Sequence, residues 1–373
     1  MVLTAAYKEF EDKLYSLSVN NFAKEEDFNK LYEELLQVLP NKGKLYKYKA
    51  LSTFHIDELE EKYVWFSAAK QLNDNKDCTF NANSLLEIDA LVKFFLTDNT
   101  YRDFLIRGLY LNLASKNPSI TPKIIEDCVA CICRNGSRTS KLRFDKFCKD
   151  YRLTVEEKQE LLKVISLYGD QAQNEKAVRN SISNIHEQLK EIRNSTQVLS
   201  LTTSYDKDSM WAYYCNNAGI CIEYDFSKIH SLELKKIFIN TQKVRYGRKK
   251  KFSQVEVIKA KMEGTTESMK KADEMLVLQL LTKEKSWCAE EEWRTTGNMR
   301  GNYIGSKIAA DIVSAIYLDY SILEEEKAKR IIELAKINSW KIYVRFFDEF
   351  DSEYRYDTIE NINKLISQYK EIM

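Results

Sequence analysis

Cys288-Ala-Glu-Glu-Glu-Trp-Arg-Thr-Thr296 decides how the later part of the chain is read. As the tail of the preceding helix it is a solvated turn with three carboxylates. As the start of a strand it carries acids into a cleft, because alternate side chains of a strand share a face. Glu290, Glu292 and Arg294 then lie on one face and Glu291 on the other. The two acids stand about 7 Å apart along the strand. One acid of such a pair can bind a sugar hydroxyl while the other activates a nucleophile, and Arg294 can hold phosphate or clamp a carboxylate.

On either side the hydrophobic period changes twice. Residues 1–39 read as two amphipathic helices ending at Pro40. LYKYKAL (45–51) and YVWFSAA (63–69) read as strands around a short helix, HIDELEEK, and a polar loop follows at 70–77. From Ser84 to Asn194 the spacing is helical, with Thr121 capping ahead of Pro122, a Thr154/Glu157 capping box, and an apolar seam through Val178, Ile182, Ile185, Leu189 and Ile192. After Thr196 the period returns to two. TQVLSLTTSY, GICIEYDF, KKIFINTQKVRYG, EWRTTGN, IVSAIYLDY and WKIYVRFFD read as strands. Between them lie DSMWAYYCNN, a long helix through 253–286, and one opening on a Ser321/Glu324 capping box; a helix at TIENINKLISQYKEIM closes the chain. The expectation is an α+β fold with a mostly antiparallel sheet. N-terminal helices occupy 1–40, a core domain 41–83 and 195–373, and a helical insertion 84–194.

The 373 residues carry a net charge of +1, with 44% hydrophobic and 30% charged residues, which excludes a whole-protein field for nucleic acid or membrane. No apolar run reaches the ~20 residues of a membrane span, and the N-terminus mixes charge through its apolar residues, unlike a secretory signal. The scattered cysteines point to reduced thiols in a cytoplasm. Cys128, Cys131 and Cys133 follow a helix start and lack a second ligand knuckle, so they read as core rather than metal ligands. P-loop, paired-glycine, nucleophile-elbow and zinc-peptidase signatures are missing, and ten glycines leave little for a backbone phosphate cradle.

Four further constellations carry chemistry. Lys47 and Lys49 alternate with Tyr46 and Tyr48 on the first strand, either a solvated edge or a group for phosphate and ribose oxygens. Trp65 and Ser67 lead into the Leu72-Asn73-Asp74 loop, either a set of donors and acceptors for a ligand or an ordinary strand-to-loop exit. Trp211 and Tyr214 share a helix face, an aromatic pair that at this spacing is more often core than a stacking platform, with Gly219 turning the chain into the next strand. Arg245, Arg248, Lys249, Lys250 and Lys251 form a basic run, solvated or gripping a nucleic-acid backbone.

Taken in order, LYKYKAL, VWFSAAKQLND, SMWAYYCNNAGICIEYDF and KSWCAEEEWR resemble domain of unknown function 2971, a bacterial family met in mobile-element and phage-defence settings. The resemblance spans roughly 44–82 and 196–320; the family's Asn-Asp-Pro loop reads Asn73-Asp74-Asn75 here. The layout is similar to ADP-ribosyltransferase-like folds with their split sheet, which place a His or Arg on the first strand, a Ser or Tyr on the second and a Glu on a late strand. This implies Lys47 or Tyr48 in the first place, Ser67 in the second and Glu292 in the third, with Glu290 completing an acid pair. It further implies NAD as substrate, held by Lys47, Tyr48, Trp65, Asn73 and Arg294, in a defence or toxin-type effector. The alternatives are a binding or sensor module docking a partner protein on the helical insertion, and a nucleic-acid-binding effector using the basic run.

Overall fold

The acidic run is divided. In the computed structural model Lys285–Glu290 winds as a 3-10 helix, Glu291 takes a left-handed conformation (φ 46°), and the strand starts at Trp293. The strand expectation therefore holds from Trp293 onward but not for Glu290. A left-handed residue breaks the strict alternation on which the shared-face argument relied. The structure describes residues 4–20, 22–74, 76–79, 84–98, 107, 110–111, 113, 120–126, 137–166, 191–248, 253–298, 305–349 and 351–372. Cys128, Cys131, Cys133, Asn75, Lys249, Lys250, Lys251 and the seam from Val178 to Leu189 lie outside the described residues.

The architecture is α+β with mostly antiparallel strands. The strands are β1 (Lys44–Ala50), β2 (Tyr63–Ala68), β3 (Thr196–Leu201), β4 (Gly219–Asp225), β5 (Thr241–Lys243) and β6 (Arg245–Tyr246). They continue as β7 (Thr282–Lys283), β8 (Trp293–Asn298), β9 (Gly305–Ala309), β10 (Val313–Asp319), β11 (Lys341–Asp348) and β12 (Glu353–Asp357). One sheet has the order β1-β4-β10-β11-β12 and a second β5-β8-β3-β2-β9, while β6 and β7 form a short parallel pair. In the first sheet β10 and β11 run parallel. A parallel pair needs a crossover, which the helix Glu326–Asn338 supplies.

The chain forms two compact units. The first comprises residues 1–79, 192–249 and 277–373, and holds both large sheets. Its apolar core takes Leu45, Ile220, Ile222, Ile316 and Leu318 from the first sheet and Val64, Phe66, Leu199 and Trp293 from the second. Each fully buried aliphatic or aromatic side chain there contributes roughly 1.5–3 kcal/mol. The helix Ala5–Ser18, capped by the Thr4 hydroxyl, buries Tyr7, Phe10, Leu14 and Tyr15 at helical spacing. Tyr7 Oη accepts the Lys243 amide at 2.7 Å and its ring meets Trp293 edge-on, so this helix is tied to the β5–β8 edge. The outer face of the first sheet gathers Tyr46, Tyr48, Tyr317 and Cys221 beneath Trp211 of the helix Asp208–Cys215.

The second unit comprises residues 80–191 and 250–276. Among its described residues Ile120, Ile125, Phe147, Leu153 and Leu161 share a core, Thr121 caps the Ile124 amide, and Thr154 and Glu157 close a reciprocal capping box.

Several expectations are corrected. The stretch KKIFINTQKVRYG is a helix, Leu232–Phe238, followed by the short β5 and β6, because Ser231 caps it. The long helix expected through 253–286 is two, Gln254–Glu263 and Thr266–Leu281, divided where Gly264 adopts a left-handed cap. Ser321 sits in a 3-10 turn anchored by Asp319, and the helix begins at Glu326. Gly219 does not make the turn, which Asn216 and Asn217 take at positive φ. It permits close approach: a Cβ there would lie 2.4 Å from the Lys49 carbonyl and 2.8 Å from Cys215 Cβ.

Candidate functional site

The second sheet's pleat assembles one wall. Trp65 and Ser67 on β2, Val198 and Ser200 on β3 and Arg294 on β8 line a cleft, while Val64, Phe66, Leu199 and Trp293 point into the core. The register sets Ser67 opposite Val198 and Ser200 opposite Arg294. The facing wall is β1. Lys47 donates to the Ser200 carbonyl at 2.9 Å, and Tyr46 exchanges backbone hydrogen bonds with Thr202. The solvated-edge reading of Lys47 and Lys49 is therefore overturned, since both turn inward. Lys49 forms a buried ion pair with Glu58, which also accepts the Trp65 amide at 3.1 Å and the Tyr224 hydroxyl at 3.3 Å. That carboxylate ties the helix Thr53–Glu60 to β1, β2 and β4.

The cleft measures about 370 Å³ and is lined by every residue expected from sequence to act in catalysis or to hold NAD: Lys47, Tyr48, Trp65, Ser67, Asn73, Glu290, Glu292 and Arg294. Their settings differ. Tyr48 lines the cleft, but its ring packs edge-on against Trp211 and its hydroxyl donates to the Ser204 carbonyl. Trp65 meets Phe54 edge-on at 5.3 Å. It rests on Gly305, where a Cβ would fall 2.4 Å from the indole.

A buried charge network lies at one end. Arg294, fully buried, donates from Nε to Glu292 Oε1 at 2.7 Å and from Nη2 to Glu292 Oε2 at 2.9 Å. Its other edge holds Asp77, at 2.9 and 2.5 Å, and the Leu280 carbonyl at 2.7 Å. Lys283 donates to Glu290 Oε2 at 2.5 Å and Glu292 Oε2 at 3.1 Å, with Trp287 beneath its ammonium. Tyr214 donates to Glu290 Oε1 at 2.6 Å, and the Tyr246 hydroxyl accepts the Glu292 amide at 2.7 Å. Two-point pairing and added hydrogen bonds are what buried charges require to offset desolvation.

Three carboxylates thus share two cations, leaving a formal excess of one negative charge when all are ionised. Burial alone would raise the Glu292 pKa, but Arg294 and Lys283 outweigh it and hold the carboxyl down at about 2. Burial likewise opposes the Lys283 charge, yet Glu292 and Glu290 raise its pKa overall. Lys47 goes the other way: burial first, then the neighbouring Lys49, bring it down to about 8.

Helix Thr53–Glu60 adds His55 to the lining. Its Nδ1 lies 2.7 Å from the Ala50 carbonyl and 3.0 Å from Ser52 Oγ. Sequence reasoning did not assign roles to His55, Asp77, Lys283 or Tyr246, and it read Tyr214 only as the aromatic partner of Trp211. Lys283 stands only seven and nine residues before Glu290 and Glu292, but the 3-10 turn Lys285–Glu290 that folds it back onto them breaks any helix or strand period that could have marked the pairing. The Asn73–Asp77 loop was a signal in part, because it brings Asp77 back to Arg294. Of the basic run, Arg245 is paired two-point with Glu11 and Arg248 is exposed.

These features define an α+β protein with a polar cleft set between two sheets and a buried acid–base network in its wall. Residues 210–295 match the model of a family described as Protein of unknown function (DUF2971), and this supports the resemblance drawn from sequence. The match takes in Tyr214, Lys283, Glu290, Glu292 and Arg294. No curated protein and no solved structure matches the chain. Among the described residues no helix is long and apolar enough to cross a membrane.

Proposed function

We propose that the cleft binds NAD and breaks its nicotinamide–ribose bond, transferring ADP-ribose to an acceptor or to water. The observation that carries this reading is the convergence of Lys47, Trp65, Ser67, Asn73, Glu290, Glu292 and Arg294, from separate segments, on one cleft beside an anionic network. At about 370 Å³ the cleft falls at the lower end of the roughly 300–1,000 Å³ usual for small-molecule sites, suiting the nicotinamide-ribosyl half of the substrate.

Cleaving the glycosidic bond builds positive charge on the ribose, as in glycoside hydrolysis. A carboxylate fixed beforehand stabilises that charge without reorganising as it develops. Glu292, ionised and held by Arg294 and Lys283, supplies such a charge. Its field acts across the cleft even though both oxygens accept hydrogen bonds. Ser67 braces the ribose, Trp65 stacks on the nicotinamide ring, and Asn73 and Lys47 hold ribose or phosphate oxygens. The defence or toxin setting implied by the family resemblance belongs to the same proposal.

The test is chromatography of nicotinamide after incubation with NAD, for the native chain and Glu292→Gln, with mass spectrometry of added lysate proteins. Release by the native chain that falls at least ~100-fold in the variant, the scale of lost charge stabilisation, supports the reading. Equal release by both forms removes Glu292 from the chemistry, and no release by either refutes the function.

A further inference from the structure

Every acid beside the network is engaged. Both Glu292 oxygens accept from Arg294, and both Asp77 oxygens do the same. Glu290 is divided between Lys283 and Tyr214. Asp74 caps its own loop through the Lys76 amide, and Lys47 is directed at the Ser200 carbonyl. A nucleophile entering the cleft needs an acceptor for its proton, and this set offers Asp74's second oxygen at most.

His55 is built differently. Ser52 caps its helix by accepting the His55 amide at 3.3 Å, fixing the backbone that carries the ring. The Ala50 carbonyl, 2.7 Å from Nδ1, can only accept, so the hydrogen of the neutral ring is assigned to Nδ1. Nε2 is left as the bare lone pair, and no described residue hydrogen-bonds to it. The ring lies 5.5 Å from Phe54, which itself abuts Trp65, so its place in the lining is fixed by packing.

We propose that His55 is the general base of the cleft, its Nε2 taking the proton of the attacking nucleophile; this rests on the NAD-cleaving reading above. The nucleophile is water or an acceptor hydroxyl. Its oxygen bonds to the ribosyl C1′ as the C1′–nitrogen bond breaks. The electron pair of that bond returns to the pyridinium, which departs as neutral nicotinamide and needs no acid. The O–H proton passes to Nε2, and the imidazolium releases it to solvent. The charged groups facing the ring are Lys49 and Lys47 from β1 and Glu58 from its own helix. Burial first, then Lys49, lower its pKa from the ordinary 6.5, so the ring is in its base form at neutral pH.

The experiment measures nicotinamide release against pH for the native chain, His55→Asn and His55→Ala, with thermal unfolding as a check on folding. Asparagine can still donate to the Ala50 carbonyl but has no base. The expected result is a ~10²–10⁴-fold lower kcat/KM in both variants, loss of the acid limb of the pH profile, and partial recovery of His55→Ala with free imidazole. Native release with both variants within about threefold of it overturns the role of His55 alone. Folded variants that lose activity but keep the acid limb, without imidazole rescue, also overturn it. No release by the native chain overturns the glycosidic reading and this base with it.

Discussion

Replacing Arg294 with methionine tests the charge network without reference to any substrate. Arg294 is fully buried, and its guanidinium is the shared partner of Asp77 and Glu292. Without it, three carboxylates face Lys283 alone, and the Leu280 carbonyl loses a donor. Truncating one partner of a buried ion pair costs about 3–5 kcal/mol, because the remaining charge is stranded in a low-dielectric site. Against a total stability of roughly 5–15 kcal/mol, that is a large fraction. Urea unfolding followed by tryptophan fluorescence measures it, with Trp211, Trp287 and Trp293 all in the first unit. Asp77→Asn removes one stranded charge, so the double variant Asp77→Asn/Arg294→Met is expected to be more stable than Arg294→Met alone. A single variant within about 1 kcal/mol of the native chain would refute the network as described.

The remaining expectations concern pH, packing and charge. Glu292, held down from 4.5 to about 2 by Arg294 and Lys283 against its burial, stabilises the folded state above 4.5, and that contribution is lost as pH falls through 2; acid titration of stability should show this loss in the native chain and not in Glu292→Gln. Lys47, lowered from 10.5 to about 8, penalises the folded state below 8 and releases that penalty as pH rises toward 10.5; Lys47→Met removes this rise from the denaturation profile. Gly305→Ala places a Cβ against the Trp65 indole, so about 1–3 kcal/mol of destabilisation and a shifted indole emission are expected by calorimetry and fluorescence.

Much of the fold was legible in period. The strands at 44–50, 63–68, 196–201, 219–225, 313–319 and 341–348 carry β-branched and aromatic residues in runs, and tertiary packing agrees with that local preference. The short β9 and β12 were not read, since GSKIA and EYRYD carry little apolar signal and sit at sheet edges. In Leu232–Phe238 the Ser231 cap outweighed a β-rich composition. Lys47, Trp65, Ser67 and Arg294 were legible because they lie on strands with clear alternation, whereas His55 of the same lining sits on a short helix and was not. The network that holds Glu292 was not: Asp77 and Tyr214 reach it across long sequence separation, which leaves no periodic trace, and Lys283 reaches it through the 3-10 turn Lys285–Glu290, which follows neither a helix nor a strand period.

The most direct measurement of the central claim is a crystal structure of the protein with a carbocyclic NAD analogue, which cannot be cleaved. The account predicts the nicotinamide against Trp65, the ribose ring between Ser67 and Glu292, and His55 Nε2 facing the reacting carbon. An analogue that binds elsewhere on the chain, or leaves this cleft empty at saturating concentration, would contradict it.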